Sequence, residues 1–115
     1  MDPAICRIIA VEAHRRRTGR CPKTVHSLGT GETYQIAPTR DGFLDVESGL
    51  AVRIEDMGLK LPHGRSIDLG MVGDIAFSGY DHFTAERFTG KAGGGISVTV
   101  YDSKELNYFQ YAIAD

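Results

Sequence analysis

A chain of 115 residues, 42% hydrophobic and 24% charged, has the size and composition of one globular domain (residues 1–115) and lies well away from the disordered regime. Its formal net charge of -2 excludes a binder that works by bulk attraction to nucleic acid or to an acidic membrane. The longest apolar run, Ala4 to Ala13, is broken by Arg7 and Glu12, so it is too short and too charged to span a bilayer.

Asp2-Pro3 is a helix start: Asp2 can accept from the first free N–H groups, and proline at the first helical position loses no hydrogen bond. Ile5, Ile8, Ile9 and Ala13 recur at helical spacing, and Ala10 and Val11 widen the stripe until much of the circumference is apolar. Arg15, Arg16 and Arg17 complement the dipole at the far end, and Gly19 can take the left-handed stop. The pattern predicts a helix over about residues 3–18. Pro22 to Leu28 reads as one further short helical turn, ended by Gly29-Thr30-Gly31.

From there the period changes from 3.6 to 2, giving a β-rich region over about residues 33–113. Thr33 to Ala37 forms a short strand, and Phe43 to Val46 pairs with Leu50 to Ile54 across Glu47-Ser48-Gly49. Leu59 to Leu61, Ile67 to Leu69 and Val72 to Phe77 follow, then a weakly alternating strand from His82 to Phe88 and a glycine-rich loop from Thr89 to Gly95. Ile96, Val98 and Val100 make the clearest strand, which turns at Asp102 to Glu105 and returns from Leu106 to Ile113. No internal repeat is evident. Without crossover helices the strands should be mostly antiparallel, so the expected class is α+β: an N-terminal helix packed on an antiparallel sheet.

Candidate chemistry is sparse. His14, His26, His63 and His82 lack the i, i+4 spacing of a helical zinc pair, and the chain has no nucleophile-elbow sequence. Cys6 and Cys21 stand at opposite ends of the helix, ~20 Å apart at 1.5 Å per residue, too far for a disulfide. Cys21 with a distant histidine is the remaining thiol chemistry. Gly90-Lys91-Ala92-Gly93-Gly94-Gly95 leads into a strand and not a helix, so it lacks the N–H cradle of a phosphate loop. The run from His14 to Arg20 is either a phosphate- or headgroup-binding patch or a solvated helix end. Asp102 to Asn107, with Asp115, offers oxygen ligands that calcium could use, against which Lys104 counts. No catalytic residue, metal or cofactor is therefore expected.

The phrase Val11-Glu12-Ala13-His14-Arg15-Arg16-Arg17-Thr18-Gly19-Arg20-Cys21-Pro22-Lys23-Thr24-Val25 resembles the helix exit of type II secretion pseudopilins and type IV pilin-like proteins. In that family a basic turn is followed by glycine, usually an aromatic, then proline, and Cys21 stands where the aromatic is commoner. Gly73 to Gly79 and Gly94 to Val98 are loosely similar to the β region of minor pseudopilins. The resemblance implies a pilin-like fold and a non-enzymatic structural subunit of a secretion pseudopilus or type IV pilus. Its partners would be other pilin-like subunits, with no nucleic acid, and contact with the membrane only through an anchor absent from this chain. It also implies a periplasmic location with an inner-membrane anchor, or a cytoplasmic one if Met1 is the native start. Ile5, Ile8, Ile9, Arg15, Arg16 and Arg17 would be the interaction residues. The alternatives are a protein-binding module of inhibitor or immunity type, with Asp102 to Asp115 as its acidic-aromatic contact surface, and a small enzyme.

Overall fold

The computed structural model describes residues 1–93 and 95–114. Helix α1 spans Pro3–Thr18, as the caps predict: Asp2 accepts from the Ala4 N–H at 2.8 Å, and Gly19 ends the helix at φ 76°. Strands β1 (Thr24–Ser27), β2 (Thr33–Pro38), β3 (Gly42–Asp45), β4 (Leu50–Glu55) and β5 (Gly58–Lys60) follow. A 3-10 turn at Pro62–Gly64 leads to β6 (Ser66–Val72), β7 (Ala76–Asp81), β8 (Glu86–Lys91), β9 (Ser97–Asp102) and β10 (Asn107–Ala114). Each strand from β2 to β10 pairs antiparallel with its predecessor in the chain, and β1 pairs with β10 as well as β2, so the sheet closes into a ten-stranded barrel.

The helix fills this barrel. Every residue from Ile5 to His14 is buried, which one covering sheet face cannot achieve for a helix apolar on most of its circumference. The helix packs on β1, β6, β9 and β10, and its end side chains reach the β3, β4–β5 and β8–β9 margins. Eight strands close on an interior that side chains alone can fill, whereas ten leave a wider lumen. Here α1 occupies it, with inward residues such as Phe43, Leu59, Ile67, Val100 and Ile113 packed round it.

This corrects the expected α+β pilin-like class: the protein is mostly β, and its helix is enclosed by a barrel rather than laid on an open sheet. With the fold goes the resemblance to pseudopilins, and with the resemblance the argument for a pilus subunit. The helix exit that suggested it is a capped helix end followed by a strand: Thr24–Ser27, expected within a helical turn, is β1. Three further expectations move: His82 to Ala85, expected to open a strand, form a loop before β8. Val72 ends β6 and the chain turns before β7, and Thr89 to Lys91 belong to β8 instead of a loop.

Two strands carry matched aromatic–glycine steps, Phe77-Ser78-Gly79 and Phe88-Thr89-Gly90, and their antiparallel register sets Phe77 opposite Gly90 and Phe88 opposite Gly79. A Cβ at Gly79 would overlap both the Asp68 carbonyl oxygen and the Phe88 ring, so the missing side chain is what lets the strands approach. Gly79→Ala is expected to lower unfolding free energy by about 2 kcal/mol or more. Gly70→Ala is the control: a Cβ there meets nothing within 4 Å, and stability should change by less than about 0.5 kcal/mol. Urea denaturation of both variants checks the difference, and equal midpoints would refute it.

Candidate functional site

Three of the loops at the barrel mouth nearest the helix N-terminus share one design. Asp45, Asp81 and Asp102 each end a strand fully buried, and each opens a four-residue loop whose last residue has positive φ: Gly49 at 73°, Ala85 at 57°, Leu106 at 56°. The carboxylates accept from loop amides, Asp45 from Ser48, Asp81 from Phe83, and Asp102 from Lys104 and Glu105. Each also holds a cation. Arg7 meets Asp45 through two hydrogen bonds of 2.8 and 2.6 Å, Arg65 meets Asp81 at 2.8 Å, and the Met1 ammonium meets Asp102 at 2.7 Å. The last two loops extend this likeness into sequence, Tyr80-Asp81 with Phe88 matching Tyr101-Asp102 with Phe109. A short recurrent hairpin therefore exists where the sequence reading found no repeat.

These pairs set the pH response. Burial pushes the Asp45 carboxyl up, but hydrogen bonds from Arg7 and Ser48 and the Arg7 charge hold it below 3.8. Asp102 is likewise raised by burial yet held below its usual value by the Met1 ammonium and two loop amides. Burial lowers the Met1 ammonium, and hydrogen bonds to Asp102 and Glu105, with the charges of Asp102 and Glu86, outweigh it and raise it from 8.0 to about 10. Carboxylates with lowered values stabilise above 3.8 and give that up as pH falls through the folded value. The raised ammonium stabilises below 8.0 and gives that up as pH rises toward about 10. The thermal midpoint should therefore decline on both sides of this window, and Asp102→Asn should weaken both declines. A profile flat from acid to alkali would contradict this account.

At the opposite mouth, the predicted basic residues close the barrel. Glu12 is fully buried and accepts from Arg15 at 2.7 Å and Arg16 at 2.7 Å, while Arg16 also donates to the Glu55, Asp56 and Gly58 carbonyls. Arg17 donates to the Gly95 carbonyl. Ile5, Ile8 and Ile9 face the lumen with no exposed surface, so they form core and offer no docking stripe. The structure does not gather the histidines: His14 is buried in α1, His26 bonds Thr33, His63 lies in the 3-10 turn, and His82 pairs with Asp68 at 2.8 Å. Cys6 is a buried thiol pushed up to about 12 by burial, and Cys21, half-buried beyond α1, donates to the Pro22 carbonyl at 3.6 Å. The Asp102 carboxylate of the suggested calcium loop already serves two amides and an ammonium. Gly94 and Asp115, which entered the loop and calcium readings, lie outside the described residues. Among the described residues no group of three or more His, Cys, Asp or Glu side chains could hold a metal ion, and no helix is long and apolar enough to cross a membrane.

With the lumen occupied, a concave surface lies on the outer wall. Outward positions of β6 to β10 fall into rows: Gly70, Ser78, Thr89, Tyr101 and Tyr108 in one, with Val72, Ala76, Lys91 and Thr99 below it. Within the first row Gly70, Ser78 and Thr89 carry no side chain larger than threonine, which leaves a shallow open trough flanked along β8 by Arg87 and Lys91. Tyr101 and Tyr108 border it as a tilted pair with ring centroids 4.6 Å apart, Tyr108 being 65% exposed. On the other side Tyr80 makes an edge contact with the His82 ring and lies under Arg87, whose guanidinium carbon is 5.6 Å from the ring centre. Tyr108 stands in the acidic-aromatic tail of the sequence, whereas Arg87 and Lys91 are hidden in a weakly alternating stretch that runs into a glycine-rich one. The usable signal was the repeated Phe-polar-Gly step, which puts residues 87, 89 and 91 on the face opposite the buried Phe88.

Comparison of the chain with protein-family models, with curated proteins and with solved structures finds no match.

Proposed function

We propose that this protein is a non-enzymatic protein-binding module that takes its partner on the outer wall formed by β6 to β10. The observation that carries this reading is the trough itself, floored by Gly70, Ser78 and Thr89 and bordered by Tyr80, Tyr101 and Tyr108. Gly70, Ser78 and Thr89 have room on a solvated wall for long side chains, and they are short where Tyr80, Tyr101 and Tyr108 stand beside them. Tyrosine adds large contact area at low entropic cost, which is why it is enriched at interfaces. The lumen supports the same reading from the other side: α1 fills the space in which a barrel of this size would otherwise enclose a small ligand. Partner recognition then falls to the outside of a rigid, edgeless scaffold.

The test is affinity capture from the source organism, comparing the native protein with a Ser78→Arg/Thr89→Arg variant. Both positions are exposed, so the variant should keep its fold, checked by circular dichroism, while two arginines fill the trough. A protein retained by the native form and lost by the variant supports the reading. Equal retention by both, or nothing retained beyond an unrelated barrel control, rejects it.

A further inference from the structure

We infer that the wall accepts an extended acidic peptide segment whose carboxylates are four residues apart, an assignment that rests on the binding-module reading above. Arg87, Thr89 and Lys91 share the outward face of β8, so Arg87 and Lys91 stand about 13 Å apart at the ~3.3 Å rise of a strand, with Thr89 between them. An extended partner has the same repeat. Acidic residues at its positions i and i+4 would lie over Arg87 and Lys91, and its i+2 side chain would enter the trough above Thr89, between Ser78 and Tyr101.

Charge favours this occupant. Among the described residues no ion pair engages Arg87 or Lys91, while the carboxylate of Asp68 at the far border of the trough is held by His82 at 2.8 Å. Glu86 and Asp102, next to this face in sequence and register, turn inward and are buried. Arg87 and Lys91 thus set two cations along β8, while the exposed carboxylates of the trough, Asp56 and Asp68, lie toward its β5–β6 side; two cations are few for a phosphate backbone, which rewards many contacts. The closed barrel also denies the partner any strand edge to pair with, so side chains must carry recognition. The i+2 residue is then the natural anchor, and an aromatic one can lie against Tyr101 and Tyr108.

The experiment is a titration of the isotopically labelled protein, followed by amide chemical shifts, with a capped peptide Thr-Glu-Thr-Phe-Thr-Glu-Thr. Parallel titrations use the forms with glutamine or lysine in place of both glutamates, and an oligothymidylate. The expected result is shifts on β7 to β9 with the glutamate peptide, and affinity about tenfold lower for the glutamine form or for the Arg87→Glu/Lys91→Glu variant. Unchanged spectral dispersion in that variant shows that its fold is intact. Equal binding of the glutamine or lysine peptide at the wall overturns the acidic class, and tighter binding of the oligothymidylate overturns the peptide assignment. Absence of wall shifts with every probe also overturns this inference, whereas the binding-module reading is decided separately by the capture comparison.

Discussion

Asp45→Ala is expected to cost about 3–5 kcal/mol of unfolding free energy, a large share of the roughly 5–15 kcal/mol that keeps a domain folded. The cost comes from what stays behind. Arg7 is 5% exposed inside the barrel, fixed by two hydrogen bonds to Asp45 and lying 3.9 Å from the centre of the Tyr34 ring. Without the carboxylate its guanidinium keeps the desolvation penalty and loses its partner, and the Ser48 amide loses its cap. Urea denaturation measures the effect, and a double-mutant cycle separates its parts. Arg7→Met combined with Asp45→Asn removes both charges together, so it should cost less than the sum of the single changes by about 2 kcal/mol. Additivity within about 0.5 kcal/mol would mean that the pair is not coupled. A cost below about 1 kcal/mol for Asp45→Ala would mean that the buried arginine finds other partners or water.

Local order was legible in the sequence and closure was not. The helix bounds followed from Asp2, Pro3 and Gly19, each acting on backbone groups a few residues away. The hairpins β3–β4 and β9–β10 followed from alternation around short polar turns. Closure depends on β1 pairing with β10, contacts nearly ninety positions apart such as Val25 with Ile113, and no local pattern encodes them. β1 itself was hidden, since a four-residue strand with Val25 alone buried carries too little alternation to outweigh a proline and a nearby glycine run. One clue to the enclosed helix was present: a stripe too wide for a single covering sheet. The candidate wall was half legible. Tyr108 stood in a recognised strand, whereas Arg87 and Lys91 acquire meaning only when the Phe88–Gly79 register shows which way they point.

The triple variant Ile5→Ala/Ile8→Ala/Ile9→Ala is expected to leave the chain unfolded. Each isoleucine is fully buried, and each deletion removes transfer free energy and opens a cavity, costing about 2–5 kcal/mol alone. Three together exceed the stability of most domains of this size. Relaxation can recover little, because the wall around the helix is a hydrogen-bonded ring and cannot shrink onto a thinner plug without changing its strand number or register. The same experiment separates the two meanings that the apolar stripe had in the sequence. As an exposed assembly surface, alanines at these positions would leave a well-folded protein with weakened association. As the plug of a barrel, they abolish the near-ultraviolet circular dichroism and the dispersed amide spectrum of the isolated chain. Ile8→Ala alone should remain folded with a loss of about 2–5 kcal/mol, which provides a measurable point even if the triple variant cannot be purified. A triple variant of native dispersion and undiminished urea midpoint would refute the enclosed helix, and with it the argument that moves recognition to the outer wall.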